Sequence, residues 1–151
     1  MPVKVYMDRR EGRGIKELLE DFGAEVELTV LTIGDYIVSE RTVIERKTRK
    51  DFEKSIIDGR LFEQLKRLTE TFDRVVLIIE GTKHAERINR KALFGAYAST
   101  VTDYDASLFF TKDKEKSAEI IFAIAKHEQI AKKGLVRIKA VSYTHLTLPT
   151  N

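Results

Sequence analysis

The chain has 151 residues, 34% of them charged, with 27 Lys and Arg against 24 Asp and Glu and a formal net charge of +3. This length suits a single domain with a sizeable core. No apolar run is long enough to span a bilayer, and the first residues lack the pattern of a signal peptide, so we expect an intracellular protein with no membrane segment. The absence of cysteine excludes disulfides, thiol nucleophiles and thiolate metal sites, which leaves oxygen or imidazole ligands for any metal ion.

The first third of the chain alternates between strand and helix patterns. Residues 3–7, which are apolar except for Lys4, predict a short strand, and residues 15–22 have the apolar spacing of one helical face before Gly23. Residues 25–31 alternate apolar and polar side chains, which predicts a half-buried strand with Val26, Leu28 and Val30 on its inner face. Two strands at residues 36–38 and 42–44 flank a Ser39-Glu40-Arg41 turn and predict a hairpin.

Helices are more frequent further along. Asp51 is predicted to cap a helix that begins at Phe52, and a second helical pattern follows Gly59. Residues 74–79 are nearly all apolar, as in a central strand covered on both faces. The remaining predicted elements are a helix from 89 or 90 to 102, a strand at 107–110, and a helix at 114–133 closed by Gly134. This order is typical of a three-layer α/β domain with a central mixed sheet.

The last eleven residues, 141–151, differ from the rest because they contain no Asp, Glu, Lys or Arg. They resemble translated cloning or sequencing-adapter sequence, and we exclude them from the fold. The predicted domain therefore comprises residues 1–140.

The hairpin is followed directly by three charged residues, which is unusual for a strand that enters a core. If residues 39–41 form its turn, Asp35 and Glu45 lie nearly opposite each other, and Lys47 projects on the same side as Glu45. Two carboxylates so close repel each other unless a divalent cation lies between them, and Mg²⁺ or Mn²⁺ suits such oxygen ligands. A metal ion beside an ammonium group fits phosphodiester hydrolysis. Taken alone, the same residues are also explained by a surface hairpin with an ion pair.

The wider pattern resembles a known nuclease signature. The segments Gly34-Asp35, Glu45-Arg46-Lys47 and Asp51, separated by nine and three residues, fill every position of the GD-Xn-ERK-XXX-D signature of the XPF-type structure-specific endonucleases. Residues 8–11, DRRE, and residues 58–65, DGRLFEQL, are similar to two further motifs of that family. The resemblance extends from about residue 3 to residue 139. Within the family, the sequence is most similar to the nuclease domains of archaeal helicase-nucleases. Membership implies a restriction-endonuclease-like fold.

The resemblance implies a metal centre with a catalytic lysine. Asp35 and Glu45 would bind Mg²⁺ or Mn²⁺, Asp8 would complete the ligand set at the end of the first strand, and Lys47 would be the catalytic lysine. The other members of the implied catalytic set are Arg46, Asp51 and Glu11. Asp51 is also explained by helix capping alone.

Basic residues near these motifs are candidates for DNA contact. Arg60 and Gln64, four residues apart on one helix face, would point at the DNA backbone if that helix borders the cleft. Pairing of Arg60 with Asp58 or Glu63 explains its position equally well. Two basic clusters supply the other candidates, which are Arg49, Lys50, Lys83, Arg87, Arg90 and Lys91. A solvated basic surface is the alternative interpretation of each cluster.

The last predicted helix has more apolar surface than one sheet face can cover. Residues 120–125 are all apolar and so surround the helix, which indicates a second partner unless one chain buries them all. Homodimers and heterodimers are also implied by the family resemblance. The predicted homodimer interface comprises Phe109, Phe110, Ile120, Ile121 and Ile124.

The expected function is therefore metal-dependent cleavage of branched double-stranded DNA, at flaps, forks or splayed arms. A catalytically silent DNA-binding or dimerisation partner is the main alternative, and an interaction domain unconnected with nucleic acid is the third. XPF-type endonucleases also contain helicase and helix-hairpin-helix domains, and we expect these domains to be missing from this sequence. If the source is archaeal, we expect the protein in the cytoplasm or nucleoid.

Overall fold

A six-stranded mixed sheet forms the middle of the protein in the computed structural model, which describes residues 2–131. Its strands are β1 (Val3–Asp8), β2 (Ala24–Thr29), β3 (Tyr36–Ile37), β4 (Thr42–Thr48), β5 (Arg74–Glu80) and β6 (Ser107–Thr111). Their spatial order is β2-β1-β3-β4-β5-β6, and β3 alone among them runs antiparallel to its neighbours. The other five strands therefore end at one side of the sheet, which we call the carboxyl edge.

Helices cover both faces of the sheet. They are α1 (Arg13–Phe22), α2 (Arg49–Ile57), α3 (Leu61–Thr71), α4 (Arg90–Thr102) and α5 (Lys114–Lys126). One face packs against α2, α3 and α4, where Phe52, Leu65 and Leu93 meet Val43 and Leu77. The other face packs against α1 and α5 in a second cluster. This three-layer α/β arrangement and the predicted order of elements are confirmed, and no helix within residues 2–131 could cross a membrane.

The charged end of the hairpin is explained by the length of β4. This strand does not stop at Ile44 but continues through Glu45, Arg46 and Lys47 to Thr48, paired along its whole length with β5. Hydrogen bonding to a central strand thus holds three charged residues in extended conformation at the carboxyl edge.

The start of α2 differs from the prediction. The helix begins at Arg49, and the hydroxyl of Thr48 caps it by accepting a hydrogen bond of 3.0 Å from the backbone N–H of Asp51. Asp51 is therefore the third helical residue, where its negative charge favours the helix dipole. The prediction that Asp51 is the cap was wrong, because Thr48 already has a side chain able to cap.

Two other elements differ from the prediction in detail. The edge strand β2 leaves Leu28 40% exposed and Val30 49% exposed, so its predicted inner face is only partly covered. The α-helix α5 ends at Lys126 and continues as a π-helical turn, His127–Ala131. There Gln129 donates hydrogen bonds to the carbonyls of Lys4 and Val38, a contact that the local sequence pattern does not reveal. The predicted helix end beyond residue 131 and the segment 141–151 lie outside the described residues.

Candidate active site

Asp35 and Glu45 lie side by side at the carboxyl edge. The β3–β4 ladder pairs Tyr36 with Ile44, and the N–H of Asp35 donates to the carbonyl of Ile44 at 3.0 Å, which makes Asp35 the neighbour of Glu45 one step further. Gly34 makes this approach possible. It has φ of +82°, and a Cβ atom there would lie 2.3 Å from Val43 Cγ2.

Burial and neighbouring negative charges raise the pKa values of both carboxyl groups. Burial, followed by the charges of Glu45 and Glu11, raises the pKa of Asp35 to about 8. Burial also raises the pKa of Glu45, although the Lys47 ammonium, 3.6 Å from Glu45 Oε2, opposes this change. The predicted convergence of two carboxylates and a lysine is thus present, and one cation does not fully offset their charge.

Arg46 points to the opposite side of β4 and is held by two acidic residues. Its guanidinium donates to Glu80 at 2.8 and 3.0 Å and to Glu11 at 3.2 Å. Glu11 also accepts a hydrogen bond from the hydroxyl of Tyr36, and Glu80 accepts one of 2.6 Å from Ser117 at the start of α5. These hydrogen bonds hold the pKa of Glu80 below its usual range even though burial alone would raise it.

Glu80, Tyr36 and Ser117 were not among the predicted site residues. Glu80 belongs to β5, and Ser117 is separated from Glu80 by 37 residues. A partial signal for Glu80 was present, since it is the charged residue that ends a buried apolar strand and so lies at the carboxyl end of that strand. The spacing does not show that this strand lies next to the hairpin, which only the structure reveals. No comparable pattern indicates Ser117.

Both carboxylate oxygens of Asp8 already accept hydrogen bonds within the chain. Its carboxylate accepts hydrogen bonds from the backbone and the guanidinium of Arg10 and, at 3.0 Å, from the N–H of Leu31. Burial alone would raise the pKa of Asp8, but these hydrogen bonds and the Arg10 charge lower it. Asp8 also donates its N–H to the carbonyl of Asp35 at 2.9 Å, which ties β1 to the start of β3.

The predicted DNA-binding residues divide into paired and unpaired groups. Arg60 pairs with Asp58 at 3.1 Å, one of the alternatives for this residue. Arg49 donates to the carbonyl of Gly81 at 2.8 Å, and Arg90 lies over the ring of Phe94. Gln64 lines a cavity of about 140 Å³ next to Glu45. The others, Lys50, Lys83, Arg87 and Lys91, are exposed and form no ion pair within residues 2–131.

The predicted dimer residues surround the edge strand β6. Phe109, Ile120 and Ile124 line an apolar cavity of about 380 Å³ between the sheet and α5, and Phe110 is 48% exposed on the other face. Ile121 is 0% exposed and belongs to the core of its own chain. Its assignment to the interface was wrong, because the helix turns this side chain toward the sheet.

The acidic residues offer an incomplete set of metal ligands. In the part of the chain that the structure describes, no three His, Asp or Glu side chains form a group able to hold a metal ion. Asp35 and Glu45 still suit the way Mg²⁺ binds, with one or two carboxylates and with water and substrate phosphate in the other positions. The arrangement therefore fits a cation shared with a phosphate substrate rather than a closed structural metal site.

Comparison with known proteins identifies the family of this chain. The ERCC4 domain model matches residues 7–124. A Methanocaldococcus jannaschii protein classed as an ATP-dependent RNA helicase, MJ1505, is 41% identical over 138 residues, and the 3′-flap repair endonuclease Xpf of Saccharolobus solfataricus is 34% identical over 142 residues. Each alignment includes 91% of this chain, but they span only 17% and 61% of those two proteins.

Solved structures give the same result for the fold. XPF from Aeropyrum pernix in complex with DNA matches with a TM-score of 0.77 and 40% identity, over 83% of this chain and 64% of that one. The restriction-endonuclease-like fold expected from the sequence is thereby confirmed. With a family model matching most of its length and its nuclease signature intact, the chain belongs to the ERCC4 domain family, which includes the XPF nucleases.

Proposed function

We propose that the chain is a metal-dependent, structure-specific endonuclease domain that hydrolyses phosphodiester bonds in branched DNA near the junction. The main support is the meeting of Asp35, Glu45 and Lys47 at the ends of two adjacent strands. The similar proteins favour the same chemistry, since one is a 3′-flap repair endonuclease and another was solved in complex with DNA. Flaps, forks and splayed arms are the substrates that we propose for this chain.

Asp35 and Glu45 are the residues that would hold Mg²⁺ or Mn²⁺. A divalent cation suits them because it would relieve the repulsion that, with burial, raises both of their pKa values. When bound, the ion makes water a better nucleophile and draws charge from a phosphate oxygen. Asp8 is the weaker candidate for a ligand, because its oxygens already accept hydrogen bonds from Arg10 and Leu31.

The other residues have distinct roles in this proposal. The Lys47 ammonium, beside Glu45, orients the attacking water or stabilises the charge that develops on the phosphate. Arg46 is a positioning residue: its backbone N–H donates to Asp35 Oδ2 at 2.8 Å, while its guanidinium is fixed by Glu11 and Glu80. These contacts hold Asp35 in place before substrate binds, which is the preorganisation that favours catalysis.

We also propose a homodimer formed at the β6 edge. The apolar cavity lined by Phe109, Ile120 and Ile124 lies on one side of this strand, and exposed Phe110 lies on the other. A second copy covering both would bury an apolar surface that a monomer leaves in water. Residues 132–151 lie outside the described structure and are not assigned to this interface.

Cleavage of a labelled synthetic fork tests the proposed activity. The fork, a plain duplex and a single strand would each be incubated with Mg²⁺, Mn²⁺ or EDTA, using the native chain and Asp35→Asn. We expect cleavage of the fork with either metal, none in EDTA, and at least a hundredfold loss in the variant. Binding of the fork without cleavage under any condition would instead identify a catalytically silent DNA-binding or dimerisation partner.

A further inference from the structure

A basic groove of about 400 Å³ lies at the carboxyl edge, next to the candidate active site. Its lining includes Thr48, Arg49, Lys50, Thr82, Lys83 and Lys112. Thr48 directly follows the predicted catalytic lysine, Lys47, and is the last residue of β4, so the groove begins where β4 ends. Lys112 belongs to neither basic cluster of the sequence, and the fold alone brings it to this position.

The charges in the groove are poorly balanced. Within residues 2–131, Lys50, Lys83 and Lys112 form no ion pair with an acidic side chain. The acidic residue of the lining, Glu80, is already neutralised by Arg46 at 2.8 Å. Positive side chains around one groove repel each other, and an extended anion bound between them would relieve that repulsion.

Hydrogen bonds and a cation–π contact hold the walls of the groove in place. Arg49 donates to the carbonyl of Gly81 and lies over the ring of Phe110, and the N–H of Gly81 donates to the carbonyl of Thr111 at 2.8 Å. The same loop is anchored further on by Glu53, which is 0% exposed and accepts a 2.7 Å hydrogen bond from the N–H of Ala85. The loop with Lys83 and the turn with Lys112 are therefore fixed to the sheet before any ligand binds.

We propose that this groove binds the sugar–phosphate backbone of the DNA strand that leaves the active site, with Lys50, Lys83 and Lys112 contacting phosphates. This inference rests on the proposed function, because the DNA substrate is taken from it. Lysine contacts with phosphates are independent of sequence, which suits an enzyme that recognises the shape of a junction.

Salt-dependent binding of the fork tests the groove without any cleavage. Dissociation constants would be measured in EDTA over a range of salt concentrations for the native chain, Lys83→Ala, Lys112→Ala and the double variant. Each lost phosphate contact lowers the slope of log K against log salt by about 0.7 to 0.9. We expect each single variant to bind the fork at least threefold more weakly at low salt. The slope should decrease by about 0.7 to 0.9 in each single variant and by twice that amount in the double variant.

Lys126→Ala is the matched control, since this exposed lysine ends α5 and lies outside the groove lining. It removes the same charge and should leave the slope unchanged. The groove is refuted if the double variant keeps the native slope, if Lys126→Ala changes it equally, or if the native chain does not bind the fork. If the slopes change but the native chain shows no metal-dependent cleavage, the groove binds DNA and the proposed nuclease activity is rejected. If the native chain cleaves the fork but the slopes are unchanged, the nuclease activity stands and the groove is rejected.

Discussion

Asp35 is held beside Glu45 where neither carboxyl group is well hydrated, so in metal-free conditions the folded chain favours a proton on this pair. The pKa of Asp35 rises from 3.8 to about 8 on folding because of burial and the neighbouring charges. Between these values the folded state binds a proton that the unfolded state has released. Stability is therefore greatest below pH 4 as far as this group is concerned, and decreases as pH rises toward 8.

Asp35→Asn should remove most of this pH dependence. Asparagine keeps an oxygen that can accept the hydrogen bond from the N–H of Arg46 but adds no charge. We expect urea unfolding in EDTA to show the variant more stable than the native chain at pH 9 by about 1 kcal/mol or more, since one pKa unit is worth about 1.4 kcal/mol. Near pH 4 the difference should become small. Parallel stability curves for the two proteins would contradict this account.

Gln64 is a second residue at which we expect the needs of function and of stability to differ. Its Oε1 atom is buried without a hydrogen-bond partner within residues 2–131, in the wall of the cavity beside Glu45. An unpaired buried oxygen costs about 1 to 3 kcal/mol, and methionine has a similar length without polar atoms. We expect Gln64→Met to leave urea stability equal or higher while reducing cleavage of the fork at least tenfold.

The adjacent exposed residue on α3 provides the control for that substitution. Glu63→Met should leave cleavage unchanged, because its side chain is outside the cavity lining. It should lower stability by only about 0.3 to 1 kcal/mol, the contribution of an acidic residue in the first turn of a helix. A Gln64→Met variant with lower stability, or with native cleavage, would show that the amide serves the fold and not the substrate.

At the scale of the elements, the sequence predicted the six strands and five α-helices of residues 2–131 in the right order, because their apolar periods differ clearly, but it did not predict the short 3-10 helix Arg9–Glu11. The sequence-based predictions were less accurate where tertiary contacts determine how a helix or strand ends. The π-helical turn after α5 depends on Gln129 binding the carbonyls of Lys4 and Val38. Likewise, the alternation in β2 identified a shared face for Leu28 and Val30, but alternation does not indicate how far the neighbouring helix extends over it.

The turn that leads into β3 offers a test of how local geometry places Asp35. Gly34→Ala combines a positive φ with a Cβ atom 2.3 Å from Val43 Cγ2, whereas Gly59, at φ +76°, has no atom within 4 Å of an added Cβ. Both variants place an alanine at a positive φ, which costs about 1 to 2 kcal/mol. We expect Gly34→Ala to lower the free energy of unfolding by at least about 1 kcal/mol more than Gly59→Ala does, and to reduce cleavage strongly.

Urea titration of both variants measures that difference, and fork cleavage measures its effect on Asp35. Equal losses of stability would mean that β3 and β4 separate easily at Val43, and native cleavage by Gly34→Ala would mean that the turn does not position Asp35.

At the scale of the whole molecule, the candidate site was predictable only in part. Asp35, Glu45 and Lys47 come from one hairpin, so residue spacing places them together. Glu80 and Lys112 reach the same edge through β5 and the turn after β6, and spacing cannot show that these strands follow β4 in the sheet. The predicted interface failed at Ile121 for a related reason, since composition shows that α5 has excess apolar surface but not which side faces the core.

The surplus apolar surface of α5 leads to a prediction about assembly. Ile124 lines the open apolar cavity at the β6 edge, so Ile124→Asp would introduce a charge that a dimer has to bury but a monomer can leave in water. We expect light scattering at micromolar concentration to give twice the 17.4 kDa chain mass for the native protein and the chain mass for the variant.

Val30→Asp separates dimer disruption from a general effect of adding charge, because Val30 is 49% exposed and follows β2, the opposite edge of the sheet. This variant should remain a dimer, and circular dichroism should show both variants folded. A native chain that is monomeric at micromolar concentration, or an Ile124→Asp variant that remains dimeric, would reject the interface. The cavity at β6 would then be a surface of the monomer, and the active site would have to act without a second copy.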